Sequence, residues 1–152
     1  MSEHSAFITY TDGGARGNPG PAALGVVICD NQGNILKKYG EYLGTATNNE
    51  AEYRAAIVAL KKLKALIGKE KAKKSDVHMR ADSELLVKQM TGRYKIEHPA
   101  IQQFFLQLWN LKLDFKSVSF EAVPREQNRV ADAMVNEALD NTLTNKGFQT
   151  IL

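Results

Sequence analysis

Cysteine is nearly missing from this sequence. Cys29 is the only one among 152 residues, which rules out an internal disulfide and a thiolate zinc site. It lies in an apolar strand-like run, LGVVIC, where a thiol behaves as a small buried hydrophobe. A reducing cytoplasm is the compartment this suggests. Histidine is scarce as well, and His4, His78 and His98 show no ligand spacing. No apolar run approaches the roughly 18 residues of a membrane span. Met1 to Ser5 has no basic segment leading into an apolar stretch, so it does not read as a secretory leader. Charge of one sign is lacking too: 20 basic residues against 17 acidic ones leave a net +3, with a pI near 8.9. That suits a polyanionic partner without identifying one. The one dense charge cluster, Lys61, Lys62, Lys64, Lys69, Lys71, Lys73 and Lys74, reads as a solvated surface around the end of a helix.

What is present is an ordinary globular composition, 43% apolar and 24% charged, with length for one domain and a real core. Ala6 to Asp12 is rich in β-branched and aromatic residues and predicts a strand. The glycines and prolines of Gly13 to Pro21 predict a loop. Leu24 to Cys29 and Ile35 to Leu43, joined by the turn residues Asp30 to Asn34, predict an antiparallel meander. Thr47, Asn48 and Asn49 offer acceptors for a helix N-terminus. That helix runs to about Ile67, with Ala56, Ala59, Leu60, Leu63 and Ile67 on one face. A strand over Ser75 to Ala81, a helix over Ser83 to Met90 and a helix from Pro99 to about Leu111 follow. A strand over Ser117 to Val123 and a helix from Asn128 to about Leu139 complete the order. The polar tail, 141–152, is left open between disorder and an addition to the sheet. This order predicts an α/β fold: a five-stranded mixed sheet, three antiparallel strands and then parallel ones, with helices on both faces.

Four acids fall where such a sheet gathers ligands. Asp12 ends the first strand, Glu52 lies early in the first helix, Asp82 ends the fourth strand, and Asp132 lies near the start of the last helix. Singly, each is what a cap or a helix dipole attracts. Together they form a cluster whose mutual repulsion a hard, oxygen-seeking cation relieves, which points to Mg²⁺. Two such ions activate a water and stabilise the leaving oxygen of a phosphodiester.

Four blocks carry a family resemblance. YTDGGARGNPGP (Tyr10 to Pro21), TNNEAEYRAAIVAL (Thr47 to Leu60), ADSELLVKQM (Ala81 to Met90) and VPREQNRVADAM (Val123 to Met134) occur in order. Together they resemble the signatures of the type 1 ribonucleases H. The resemblance covers roughly Phe7 to Leu139 of a single domain spanning 1–152. It implies an endonuclease on the RNA strand of RNA–DNA hybrids, leaving 5′-phosphate and 3′-hydroxyl ends. It implies Asp12, Glu52, Asp82 and Asp132 as catalytic metal ligands for two Mg²⁺ ions, with Mn²⁺ as a substitute. It also implies substrate contacts from Gly13, Asn18, Thr47, Asn48, Asn49 and Ser83. The asparagines would meet 2′-hydroxyls in the minor groove, and Thr47 a phosphate of the DNA strand; short amides and the 2′-OH each donate and accept.

The chain departs from many relatives at three places. Glu84 stands where glutamine is frequent, and the loop Glu121 to Asn128 has no histidine, leaving Arg125 and Glu126 as auxiliary candidates. The basic, Trp-containing protrusion is missing, so Gly92-Arg93-Tyr94-Lys95 is the remaining basic-aromatic candidate for a backbone contact, and weaker hybrid binding is expected. A monomer without an obligate protein partner or membrane is expected. Alternative readings are a resolvase or transposase core on the same fold, a non-catalytic hybrid-binding module, and a domain of a reverse transcriptase. The intact set of four acids and the TNNEAEY helix argue against the first two. The methionine close ahead of the first strand suits a free-standing protein.

Overall fold

The computed structural model describes the backbone of residues 5–151 and the side chains of residues 5–142. His4 and the side chains of the final ten positions lie outside them. Five strands form one sheet in the order β3-β2-β1-β4-β5. β1 (Ser5–Ala15), β2 (Gly20–Asp30) and β3 (Ile35–Ala46) are the antiparallel meander, and β4 (Ser75–Ala81) and β5 (Ser117–Ala122) run parallel to β1. The helices are α1 (Asn48–Ile67), α2 (Lys69–Lys73), α3 (Glu84–Met90), α4 (Pro99–Lys112) and α5 (Arg129–Ile151), with a 3₁₀ turn at Arg125–Gln127. No helix among the described residues is long and apolar enough to cross a membrane.

Strand alternation divides the sheet into two faces. Phe7, Val77 and Met79 turn toward α1, whose Tyr53, Ala56, Leu60 and Leu63 complete the main core with Leu24, Val26, Ile28 and Leu108 of α4. The intervening residues Ile8 and Tyr10 of β1 turn the other way, to Val27, Cys29 and Ala131 of α5. Cys29 is a buried free thiol, as its apolar run predicts.

Three expectations from sequence need correction. Gly13–Pro21 is not a continuous loop: β1 and β2 pair through Gly14↔Ala23 and Ala15↔Ala22, leaving a short turn between Ala15 and Gly20. Glycine and alanine have weak strand propensity, but here Ala22 packs with Ala46 and Ala51, and bulkier side chains would hold α1 off the ladder. Part of the lysine-rich stretch is the short helix α2, with Ala72 buried beneath it. Finally, α5 continues past Leu139 to Ile151, so the backbone of 141–151 is helical and adds no strand.

The seat of α5 is set by two glycines. Gly25 of β2 pairs with Gly40 of β3. A Cβ on Gly25 would lie 2.2 Å from the Ala131 carbonyl oxygen, and one on Gly40 would lie 2.8 Å from that of Met134. The helix backbone therefore rests directly on the sheet, which brings Asp132 down to the level of β1. Gly25→Ala is expected to cost about 2 kcal/mol or more by overpacking, read from the urea midpoint. Gly14→Ala, whose Cβ would meet only Val135 Cγ1 at 3.7 Å, should change it little; equal losses would argue against this seat.

Candidate active site

The parallel register of β1 and β4 ends at Tyr10↔Arg80 and Thr11↔Ala81. The next step along both strands sets Asp12 beside Asp82, on the sheet face that also carries Tyr10 and Arg80. Those two are already joined, Arg80 Nη1 donating to Tyr10 Oη at 2.7 Å. Glu52 arrives from the opposite face, on the second turn of α1. It can do so because Gly13 has no side chain: a Cβ there would lie 2.2 Å from the Ala51 carbonyl carbon and 2.4 Å from the Glu52 amide nitrogen. The Gly13 N–H donates to Glu52 Oε1, fixing that carboxylate at the strand end.

Oxygens of Asp12, Glu52 and Asp82 lie within 4.8 Å of one another. Asp132 stands outside this tight group but lines the same cleft, of about 350 Å³, with Gly13, Asn48, Ser83 and Arg125. Asn128, fully buried, holds the two sides together: its Nδ2 donates to the Thr11 carbonyl at 2.8 Å, and its own carbonyl accepts the Asp132 N–H at 3.0 Å. The acids suffer from their closeness. Burial, with the charges of Asp82 and Asp132, pushes the Asp12 carboxyl up to about 7. Burial and the Asp12 charge raise Glu52 well above the usual carboxylate range. An all-oxygen donor set held this tightly, and this reluctant to ionise alone, fits a hard divalent cation.

The other candidate residues divide. Asn18 and Asn48 meet on the turn beside the acids: Asn48 N–H donates to Asn18 Oδ1 at 3.0 Å, and Ala15 N–H donates to Asn48 Oδ1 at 2.8 Å. Asn49 lies next to them, its Oδ1 buried without a partner among the described residues. Thr47 is the N-cap of α1 in a reciprocal box with Glu50; its oxygen accepts there, and its O–H stays available as a donor. Ser83 caps α3 one way only, its Oγ accepting the Leu86 N–H at 3.2 Å. Arg125 Nε stands 3.9 Å from Asp82 Oδ2, beyond hydrogen-bonding range but close enough for attraction. Glu126 does not join the cleft; it lines a separate cavity of about 230 Å³ with Tyr10, Cys29 and Ile35. Lys88, Arg93 and Glu84 line a further groove outside the acid cluster, where Lys88 Nζ sits 5.0 Å over the Tyr94 ring. Sequence reasoning missed Arg16, Asn128 and Asn136, which help build or line the cleft. Asn136, one turn after Asp132, donates to its carbonyl at 3.2 Å, and that i, i+4 spacing was there to be read.

Asp12 does not end β1, as the sequence suggested, but is paired with Gly25 three residues before the strand stops. A sheet of this order with acids there, just past β4 and on the flanking helices defines the ribonuclease H-like class of folds. The profile of the family described as "Reverse transcriptase-like" matches residues 10–138. The chain is 42% identical to Ribonuclease HI of Halobacterium salinarum, over 87% of this chain and 63% of that one. It is 39% identical to the bifunctional protein Rv2228c of Mycobacterium tuberculosis, over 88% and 35% respectively. It thus spans under two thirds of the length of both relatives. LC11-RNase H1, solved in complex with an RNA/DNA hybrid, is 46% identical, with a TM-score of 0.85 over 90% of this chain and 99% of that one. The chain belongs to the reverse transcriptase-like, ribonuclease H-type family.

The raised carboxyls make the metal-free protein sensitive to pH. A carboxyl that titrates higher when folded stabilises the fold fully below its unfolded value, near 3.9. That contribution is lost as pH rises through about 7. Removing the charge with Asp12→Asn should therefore stabilise the metal-free protein at pH 8, by on the order of 2–4 kcal/mol. The gain should shrink toward pH 5 and largely vanish for wild type supplied with Mg²⁺. Urea unfolding in EDTA across that range checks this; parallel pH curves for the two proteins would mean that Asp12 ionises normally.

Proposed function

We propose that this chain is an endonuclease that hydrolyses the RNA strand of RNA–DNA hybrids, acting as a cytoplasmic monomer. The observation that carries the reading is the convergence of Asp12, Glu52 and Asp82 from three separate elements, their oxygens within 4.8 Å, in an open cleft. Support comes from the 46% identical LC11-RNase H1, solved with an RNA/DNA hybrid. Asp12, Glu52 and Asp82 would hold one divalent ion, and Asp12, Asp82 and Asp132 a second. What magnesium supplies when bound there, with manganese as a substitute, is positive charge to activate a water and steady the departing 3′-oxygen.

The chain's own groups account for the rest. Gly13, through its N–H, keeps Glu52 aimed at Asp12. Asn18, Asn48 and Asn49 present amides to the minor groove, where a 2′-hydroxyl distinguishes RNA from DNA. The free O–H of Thr47 and the α1 N-terminus suit a phosphate of the DNA strand, and Ser83 sits at the cleft wall. Arg125, exposed and beside Asp82, takes the auxiliary place that histidine holds in many relatives; Glu126, facing another cavity, is the weaker candidate. The water oxygen joins phosphorus and the bond to the 3′-oxygen breaks, so the products carry a 5′-phosphate and a 3′-hydroxyl.

The test is one labelled RNA strand, annealed to DNA, to RNA or to nothing, with Mg²⁺ or EDTA. Cutting of the hybrid that requires metal is expected, and Asp12→Asn should lower it at least about 10³-fold. Binding of the hybrid without cutting, from folded protein, would sink the nuclease reading and leave a binding module.

A further inference from the structure

Arg16 opens the β1–β2 turn, directly after Ala15, and lines the carboxylate cleft together with Asn48, Asp132 and Asn136. The turn around it is fixed: Arg16 N–H donates to the Pro21 carbonyl at 2.8 Å, and Ala15 and Asn18 are both tied to Asn48. Its guanidinium is fixed as well, Nη2 donating to Asp140 Oδ1 at 2.7 Å. Asp132, Asn136 and Asp140 recur every four residues and so share one stripe of α5. The stripe runs from the acid cluster to Arg16.

Stability alone does not account for this pair. The side chains are 42% and 64% exposed, and such surface pairs contribute little. Among the described residues the contact occupies one of the guanidinium's five donors, leaving an oriented fork open on the cleft. Arg125 occupies the Asp82 side of the same cleft, so one arginine flanks each side of the acids.

We propose that Arg16 grips a phosphate of the cleaved strand, beside the scissile one, and that Asp140 is the positioning residue that aims it. This rests on reading the cleft as a hybrid nuclease site. The planar fork matches phosphate oxygens in a way that a lysine's point charge does not. A polyanion approaching four carboxylates also needs compensating charge at the rim.

The experiment measures hybrid affinity by fluorescence anisotropy in Ca²⁺ at several salt concentrations, alongside steady-state cleavage in Mg²⁺. Arg16→Gln is expected to raise KM about five- to tenfold with kcat within about twofold, and to lower the log–log salt slope by about one. Asp140→Asn should weaken binding in the same direction by less, with no change in slope. Lys61→Gln, which removes the same charge from the far half of α1, should change neither quantity. Melting temperatures of all variants should stay near wild type, because the pair is exposed. If the wild type cuts the hybrid but Arg16→Gln keeps its KM and slope, or if Lys61→Gln matches it, Arg16 is only a tie between the turn and α5. If the wild type neither binds nor cuts, the reading of the whole cleft falls, and the role of Arg16 falls with it.

Discussion

At Gly13 the end of β1 touches the first turns of α1 backbone to backbone, and a single added carbon would collide with Ala51 and Glu52. That approach is a constraint on everything around it. It brings an acid from one face of the sheet to a pair of acids on the other, and it forces small residues onto the neighbouring ladder, where Ala22, Ala46 and Ala51 pack together. The Gly25–Gly40 notch does the same for α5 on the opposite face. The two helices that carry Glu52 and Asp132 are thus both seated by missing side chains. The strands that carry Asp12 and Asp82 are held by the hydrogen-bond register of the sheet. Positions set by backbone contact are stiffer than positions set by side-chain packing, which is what a cluster of repelling charges requires.

The cluster is also where the fold works against itself. Asp12 and Glu52 are buried and surrounded by like charge, so both carboxyls are harder to ionise than a carboxylate in water. The Gly13 N–H on Glu52 offsets part of this, while the Asn128 bridge ties Thr11 of β1 to the first turn of α5. A cation would then bind to a site already assembled, relieving repulsion rather than organising loose side chains. The capping residues Thr47 and Ser83 serve stability and site together, since each orders a helix N-terminus that borders the cleft.

Much of this was legible in the sequence. The alternation of Val77 and Met79 with His78 and Arg80 marks β4, and Glu52, Asp82 and Asp132 sit near element ends that a mixed sheet collects on one edge, although Asp12 lies inside β1 and does not end it. The glycine-rich segment misled, because glycine signals a turn by propensity while here it signals close approach, a tertiary fact invisible to a local reading. The end of α5 was equally hidden. Residues past Leu139 are mostly polar up to Gly147, with a small apolar end after it, so the pattern read from the sequence stops near Leu139 although the helix does not. Arg16 drew no notice because its partner, Asp140, is 124 positions away. Glu126, adjacent to Arg125 in sequence, parts from it because the 3₁₀ turn sends neighbouring side chains to different cavities.

The extended helix has a consequence for how this chain tolerates change. Asp132, Asn136 and Asp140 keep one face only while the count of residues between them is preserved. One inserted or deleted residue turns everything beyond it by about 100°. The eight-residue interval from Asp132 to Asp140 therefore behaves as a fixed gauge. Point substitutions there are negotiable one at a time, but a change of length would detach the turn carrying Arg16 from the helix that carries Asp132. Homologous chains with this arginine–aspartate pairing should keep that interval invariant in length even where its residues differ.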